Sequence, residues 1–292
     1  MKLPTPLAII WKSFDGLSTR NGIEIAGYIS FTVMLALFPF MIFLVSVAGF
    51  FGDTRTGVNF LNTMSMFAPP DVMKTLMPAI AEVTANRSGS LLTIGLALAL
   101  YSASSAVSAL RLALDLAYGV EEKRSMWLRK AQDFLIVVLG SAVLMLSSVA
   151  IILGPWVWRV VTWFTFLDPA DLTLWHLARY SFALIALALG VIALHRILPD
   201  AKLTIRQILP GALTTTIIWI IAASLLTLYF GKFANYSATY GSLGGVIITL
   251  MFFYVSAIIF IFGGELNATL MARASTEAPP PNPEVPSLPA KA

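Results

Sequence analysis

Six continuous apolar runs constrain this chain more than any other feature, because about twenty apolar residues of helix are what a bilayer's hydrocarbon requires. They extend from Ile29 to Phe51, Leu91 to about Leu114, Phe134 to Leu153, about Leu174 to Leu194, Gly211 to Phe230, and Leu243 to about Leu270. Only 12% of the 292 residues are charged, where a soluble surface needs about 25%. Backbone in hydrocarbon must satisfy its own hydrogen bonds, which leaves helices or closed barrels. A barrel would show short alternating segments, and these runs do not alternate. The expected fold class is all-α, a polytopic membrane helix bundle of six transmembrane helices.

Positive side chains orient such a bundle. Lys2, Lys12 and Arg20 precede the first run; Lys123, Arg124, Arg129 and Lys130 lie in the second connection; Arg196, Lys202 and Arg206 lie in the fourth; Arg273 and Lys291 follow the last run. These twelve fall on one side, against five (Arg55, Lys74, Arg87, Arg159 and Lys232) on the other. Both termini are expected in the cytoplasm. The pI of 9.4 then records topology; no clustered basic face for nucleic acid is evident. No cleavable signal peptide is evident either, since about 28 fairly polar residues precede the first run.

Residues 1–28 form a cytoplasmic or interfacial segment, in which Leu7 to Phe14, with Trp11 and Lys12, suits the headgroup level. Residues 29–272 form the six-helix domain. Its first external connection, 53–90, is too long for a turn. There Val72, Met73, Leu76, Met77, Ile80 and Val83 fall at helical spacing, with Asp71, Lys74, Thr75 and Glu82 mostly opposite. That pattern predicts an extra amphipathic helix, bent at Pro78, on the outer membrane surface or against the bundle. Pro39 predicts a kink in the first helix, and Leu209-Pro210-Gly211 a break before the fifth. The proline-rich tail, 273–292, is expected to be disordered.

Charged groups inside such helices are expensive and mark sites to inspect. Arg111 and Asp115 lie near the inner end of the second helix, Glu265 and Asn267 near the inner end of the sixth. Arg111 and Glu265 each lie about 21–22 residues from an outer helix start, roughly 32 Å of rise, and so share a depth. Two readings stay open: a gate or headgroup-binding pair of Arg111 with Glu265, or a structural bridge from Arg111 to Asp115 on its own helix. The second helix also carries Tyr101, Ser102, Ser104, Ser105 and Ser108. These either pack helices closely or line a polar cavity. The segment from Asn235 to Gly245 holds Tyr236, Tyr240, Gly241, Gly244 and Gly245 where a helix begins. It reads equally as an interfacial turn or as an anion or gating site.

Motifs of soluble catalysis are absent: no HExxH, P-loop or GxSxG, and no metal-ligand spacing. Asp168 and Asp171 flank Pro169 in an external turn, where helix capping is the ordinary role. With no cysteine, thiolate sites and disulfides are excluded. The chain is expected to be no enzyme and to hold no cofactor or metal.

Several segments together resemble the YihY/BrkB family of bacterial inner-membrane proteins. They are Ala26-Gly27-Tyr28 through Leu37-Phe38-Pro39-Phe40, Arg111 through Tyr118-Gly119-Val120, Leu209-Pro210-Gly211-Ala212, Tyr236 through Gly245, and Gly264-Glu265-Leu266-Asn267-Ala268. One departure, at Ile29 after Tyr28, leaves that position without a role. The resemblance implies six helices in a bacterial inner membrane. Members have been labelled ribonuclease BN, or a virulence factor linked to serum resistance, and a family-level role in moving envelope lipids has been suggested. The expected function is passage of a lipid or other amphiphile in envelope biogenesis, with membrane lipids as partners. The alternative is a non-transporting scaffold for envelope-assembly proteins; a ribonuclease is the reading the residues favour least.

Overall fold

A computed structural model describes residues 5–51, 89–143, 173–232 and 242–277. Among these residues every regular element is a helix: α1 (Thr5–Thr19), α2 (Gly22–Phe51), α3 (Gly89–Tyr118), α4 (126–143), α5 (Thr173–Ile197), α6 (Ile205–Lys232) and α7 (Ser242–Glu277). Within the described residues the six apolar runs fall on α2 to α7 in order, the third only as far as residue 143, and the Leu7 to Phe14 segment falls within α1. The amphipathic stretch expected within 53–90 lies outside the described residues, apart from Gly89 and Ser90, which open α3. α7 continues past Leu270 to Glu277, and 278–292 lie outside the described residues.

Local chemistry explains the helix ends. α3 stops at Gly119, whose φ of 64° is open to glycine and strained for other residues. Its N–H donates to Leu116 O (3.1 Å) and that of Val120 to Asp115 O (2.8 Å), a Schellman closure of the last turn. α4 starts after Ser125, whose carbonyl accepts from Arg129 N–H at 3.1 Å. α6 starts after Thr204, which donates through both N–H (2.7 Å) and hydroxyl (2.8 Å) to Gln207 Oε1. That cap moves the start upstream of the expected break, and α6 runs through Pro210 without ending. The adjoining Gly211 N–H is satisfied from outside, donating to Asn267 Oδ1 at 2.6 Å.

α7 is the central element, packed against α1, α2, α3 and α6; α2 lies along α3, and α5 along α6. One core cluster joins Leu17, Ala26, Ile29, Ala109, Ala113, Ala257 and Ile261 from α1, α2, α3 and α7. A second joins Val107, Leu114, Val137, Leu198 and Phe260. Small residues at these contacts let backbones approach. A Cβ added at Gly211 would overlap Gly263 O, and one added at Gly263 would overlap Thr215 Oγ1.

The outward faces are apolar, with Leu98, Leu135, Leu177, Ile185 and Leu225 all exposed. Among the described residues two stretches, Ile205–Leu226 and Val246–Ala274, are long and apolar enough to cross a membrane, yet only 28% and 33% of their apolar windows are buried. A soluble core helix of that hydrophobicity would be covered by protein.

The α6–α7 crossing gives a direct test. Gly211→Ala, pressed against backbone, is expected to destabilise by about 1–3 kcal/mol. Gly190→Ala, with nothing within 4 Å of the added Cβ, is expected to be neutral or stabilising. Thermal unfolding in detergent should separate the two; equal midpoints would contradict the close crossing.

Candidate functional site

The described charged side chains converge at the end of the bundle where α3 and α5 finish and α4 and α6 begin. On α3, Ser104, Ser108, Arg111 and Asp115 follow helical spacing and form one stripe. Arg111 Nη2 donates to Asp133 Oδ1 of α4 at 2.5 Å, with both side chains almost fully buried. Its Nη1 donates to Gln132 Oε1 (3.2 Å) and Leu198 O (3.1 Å), with Glu122 Oε2 at 3.7 Å; its Nε has no partner. Arg124 donates to Glu122 through Nε (2.7 Å) and Nη2 (2.6 Å), and Nη2 also reaches Leu198 O at 2.6 Å. Two guanidinium groups thus occupy a carbonyl that α5 leaves free at its C-terminus, where its dipole is negative.

A second arginine-to-carbonyl contact lies beside the first. Arg20, after α1, donates to Ala117 O (2.5 Å) at the end of α3 and to Glu265 Oε2 (2.9 Å). Glu265 is buried and abuts Gly16, where any Cβ would overlap its carboxylate. Asn267 is fully buried and completes three bonds: it accepts from Gly211 N–H and donates through Nδ2 to Ile208 O (3.0 Å) and Tyr118 Oη (3.1 Å). Asp115 Oδ1 accepts from Asp200 N–H at 3.0 Å, and Asp200 Oδ2 accepts from Lys123 N–H at 2.9 Å, which ties the two connecting turns together.

The expected alternatives for Arg111 therefore both give way. Its ion-pair partner is neither Glu265 nor Asp115 but Asp133, because the Ser104–Ser108–Arg111 stripe faces α4, while Glu265 faces α1 and the end of α3. Asp133 borders the third apolar run, and its place opposite Ser108 and Arg111 was the missed signal. Arg20 and Arg124 carry structural bonds as well as topological charge. Tyr101 is largely exposed; its carbonyl accepts from the Ser104 (2.8 Å) and Ser105 (3.0 Å) hydroxyls. Gly244 and Gly245 lie in the first turn of α7, whereas Tyr236, Tyr240 and Gly241 lie outside the described residues. His195, fully buried, was not singled out beforehand. Its Nδ1 lies 3.0 Å from Val191 O and its ring packs on Phe260 at 4.6 Å.

Two outcomes follow. Asp133→Asn strands the buried Arg111 charge and is expected to lower stability by about 3–5 kcal/mol, read as lost folded yield and thermal midpoint in detergent; an unchanged midpoint would contradict the pairing. Burial raises the Glu122 pKa, but hydrogen bonds from Arg124 and the Arg124 and Arg111 charges outweigh it, so the carboxyl sits below its usual range. A depressed carboxyl stabilises the fold above its unfolded value, about 4.3, and that contribution disappears as pH falls through the depressed folded value. Glu122→Gln should flatten the acid limb of a thermal-stability profile; an identical limb would show that Glu122 contributes nothing there.

Comparison with known proteins places this geometry in a lineage. The family described as virulence factor BrkB matches residues 13–287. A Bacillus subtilis protein named as ribonuclease-like, YfkH, is 31% identical over 267 residues, covering 91% of this chain and 96% of its own. A UPF0761 membrane protein of Pseudoalteromonas translucida is 25% identical over 268 residues (87% and 83% coverage), and one of Aliivibrio salmonicida is 23% identical over 278 residues (92% and 86%). No solved structure matches. With its apolar outer faces and its full-length match, the chain is a membrane protein that belongs to the virulence factor BrkB family.

Proposed function

We propose that this protein crosses a bacterial inner membrane six times, with both termini in the cytoplasm, and moves a lipid or other amphiphile across or along that membrane. The observation that carries the reading is the continuity of the buried Arg111–Asp133 pair with the Ser108 hydroxyl, which Lys130 joins to the Ser104 hydroxyl along one face of α3. Ser108 donates to Asp133 Oδ2 at 2.5 Å, so the charged clasp passes directly into a polar seam between α3 and α4. Such a seam gives a headgroup polar partners while its acyl chains stay against apolar helix faces. The distribution of Lys and Arg supports the orientation, because the clasp then lies at the cytoplasmic end.

On this reading the clasp is a closed inner gate. Opening it separates α3 from α4 and exchanges the Arg111–Asp133 contact for contacts to an anionic group. Glu265, held by Arg20, and Asn267, held by three partners, keep α7 fixed as the other helices move. The ribonuclease-like name of YfkH belongs to that protein, and a nuclease reading here would need metal-dependent RNA cleavage by the pure chain. The scaffold alternative rests on the apolar stripe within 53–90, and a stoichiometric partner crosslinked through residues 60–85 would favour it.

Purified protein in liposomes carrying headgroup-labelled phospholipids tests the proposal. Labelled lipid is expected to change leaflet about tenfold faster than in empty vesicles, a difference of about 1.4 kcal/mol in barrier. Equal rates for every lipid tried would end the transport reading.

A further inference from the structure

From the position of Lys130 we infer that the seam between α3 and α4 holds a binding site for the phosphodiester headgroup of a membrane phospholipid, built from Lys130, Tyr101, Ser104 and Ser108; the inference rests on the lipid-passage reading and names its substrate class. Lys130 lies in the second turn of α4, three residues before Asp133 and so about 4.5 Å nearer the charged end. Its ammonium does not turn toward that end. It lies 3.5 Å from Ser108 Oγ, which bonds Asp133, and 3.5 Å from Ser104 Oγ, a full turn further along α3.

This direction is unusual on two counts. Side chains on a helix lean toward its N-terminus, which for α4 is the charged end. A lysine near a helix end also gains by extending its charge toward water. Lys130 does the opposite and carries its charge along the polar seam of α3.

It reaches the Asp133 carboxylate only through the Ser108 hydroxyl. Among the described residues Lys130 has no carboxylate within 4.0 Å, since Asp133 is taken by Arg111. Its two hydroxyl contacts lie at the outer limit of hydrogen bonding. The third neighbour is the Tyr101 ring, whose centroid is 5.5 Å away. Tyr101 is 62% exposed, so the seam opens sideways between the helices. The Ser104 and Ser108 hydroxyls give their protons to Tyr101 O and Asp133 Oδ2 and hold the ammonium as acceptors, so a cation in this lipid-facing cleft beside an aromatic ring calls for an anion that accepts hydrogen bonds from the lysine. A phosphodiester does so with acceptor-only oxygens, and its acyl chains would lie along the exposed apolar faces of α3 and α4 near Leu98 and Leu135.

Full-length protein in a maltoside detergent, titrated with dioleoylphosphatidylglycerol, dioleoylglycerol and inorganic phosphate, tests the site by native mass spectrometry. Saturable binding of phosphatidylglycerol is expected, none of the phosphate-free lipid, and no displacement by inorganic phosphate. Lys130→Met should weaken phosphatidylglycerol binding by about tenfold or more, and Lys130→Arg should retain it. Tyr101→Leu, at an exposed position, should weaken binding severalfold and keeps the test alive if the lysine variant aggregates. Wild-type binding by Lys130→Met, or by Tyr101→Leu in its place, overturns the site. Equal binding of dioleoylglycerol overturns it, and displacement by phosphate assigns the seam to a soluble anion instead. Binding is read apart from leaflet exchange. Lysine-dependent binding without exchange leaves the site and removes the transport reading, whereas exchange unaffected by Lys130→Met does the reverse.

Discussion

The bundle depends on arginines that meet helix C-termini, with Arg111 and Arg124 largely buried and Arg20 half-exposed. A helix ends with carbonyls that have no intrahelical donor, and in an apolar surrounding each unsatisfied carbonyl is expensive. Arg20 serves Ala117 O at the end of α3; Arg111 and Arg124 share Leu198 O at the end of α5. Each guanidinium then needs a carboxylate: Glu265 and Asp133 come from other helices, and Glu122 from the same connection as Arg124. Helix termination, charge neutralisation and interhelical contact are therefore satisfied by the same few groups. Removing Arg20 takes the donor from both Ala117 O and Glu265, whereas Leu198 O, shared by Arg111 and Arg124, keeps one donor when either is lost.

This arrangement explains why the polar chemistry gathers at one end while the remaining helix surface is apolar. α3 is the link: its C-terminal turn closes at Gly119, its Asp115 receives the 198–204 turn through Asp200, and its Arg111 reaches α4. α7 provides the opposing wall, where Asn267 bonds both the first turns of α6 and Tyr118. The glycines at 211 and 263 permit that approach. Of the segments that carry the resemblance, Arg111–Val120, Leu209–Ala212 and Gly264–Ala268 lie at this end.

Much of the architecture was legible in the residues. The apolar runs locate α2 to α7 because hydrocarbon length and helix rise leave little freedom. The site was only partly legible. Arg111, Asp115, Glu265 and Asn267 stand out because charge and amide groups are rare in apolar runs, and all four prove buried and bonded. Their partners do not stand out, since Arg20, Glu122, Arg124 and Asp133 lie in or beside polar connections where charge is ordinary. Depth along two helices suggested Arg111 and Glu265 as a pair, but depth is one coordinate and rotation about the helix axis is another. The seven-residue spacing from Ser104 to Arg111 places both on one face of α3, and only the structure shows that this face meets α4. Pro210 misled for a related reason: the group that compensates it, Asn267, comes from 57 residues downstream and has no local signature.

The claim on which the account turns is that Arg111 and Asp133 are one energetic unit across α3 and α4. A double-mutant cycle measures it directly, using Arg111→Met, Asp133→Leu and the pair combined, with unfolding followed in detergent at fixed pH. The account predicts a coupling of about 1–3 kcal/mol, with the double variant more stable than the sum of the single losses implies. Losses that simply add would mean that the two side chains do not hold each other, and the charged clasp would not exist as described.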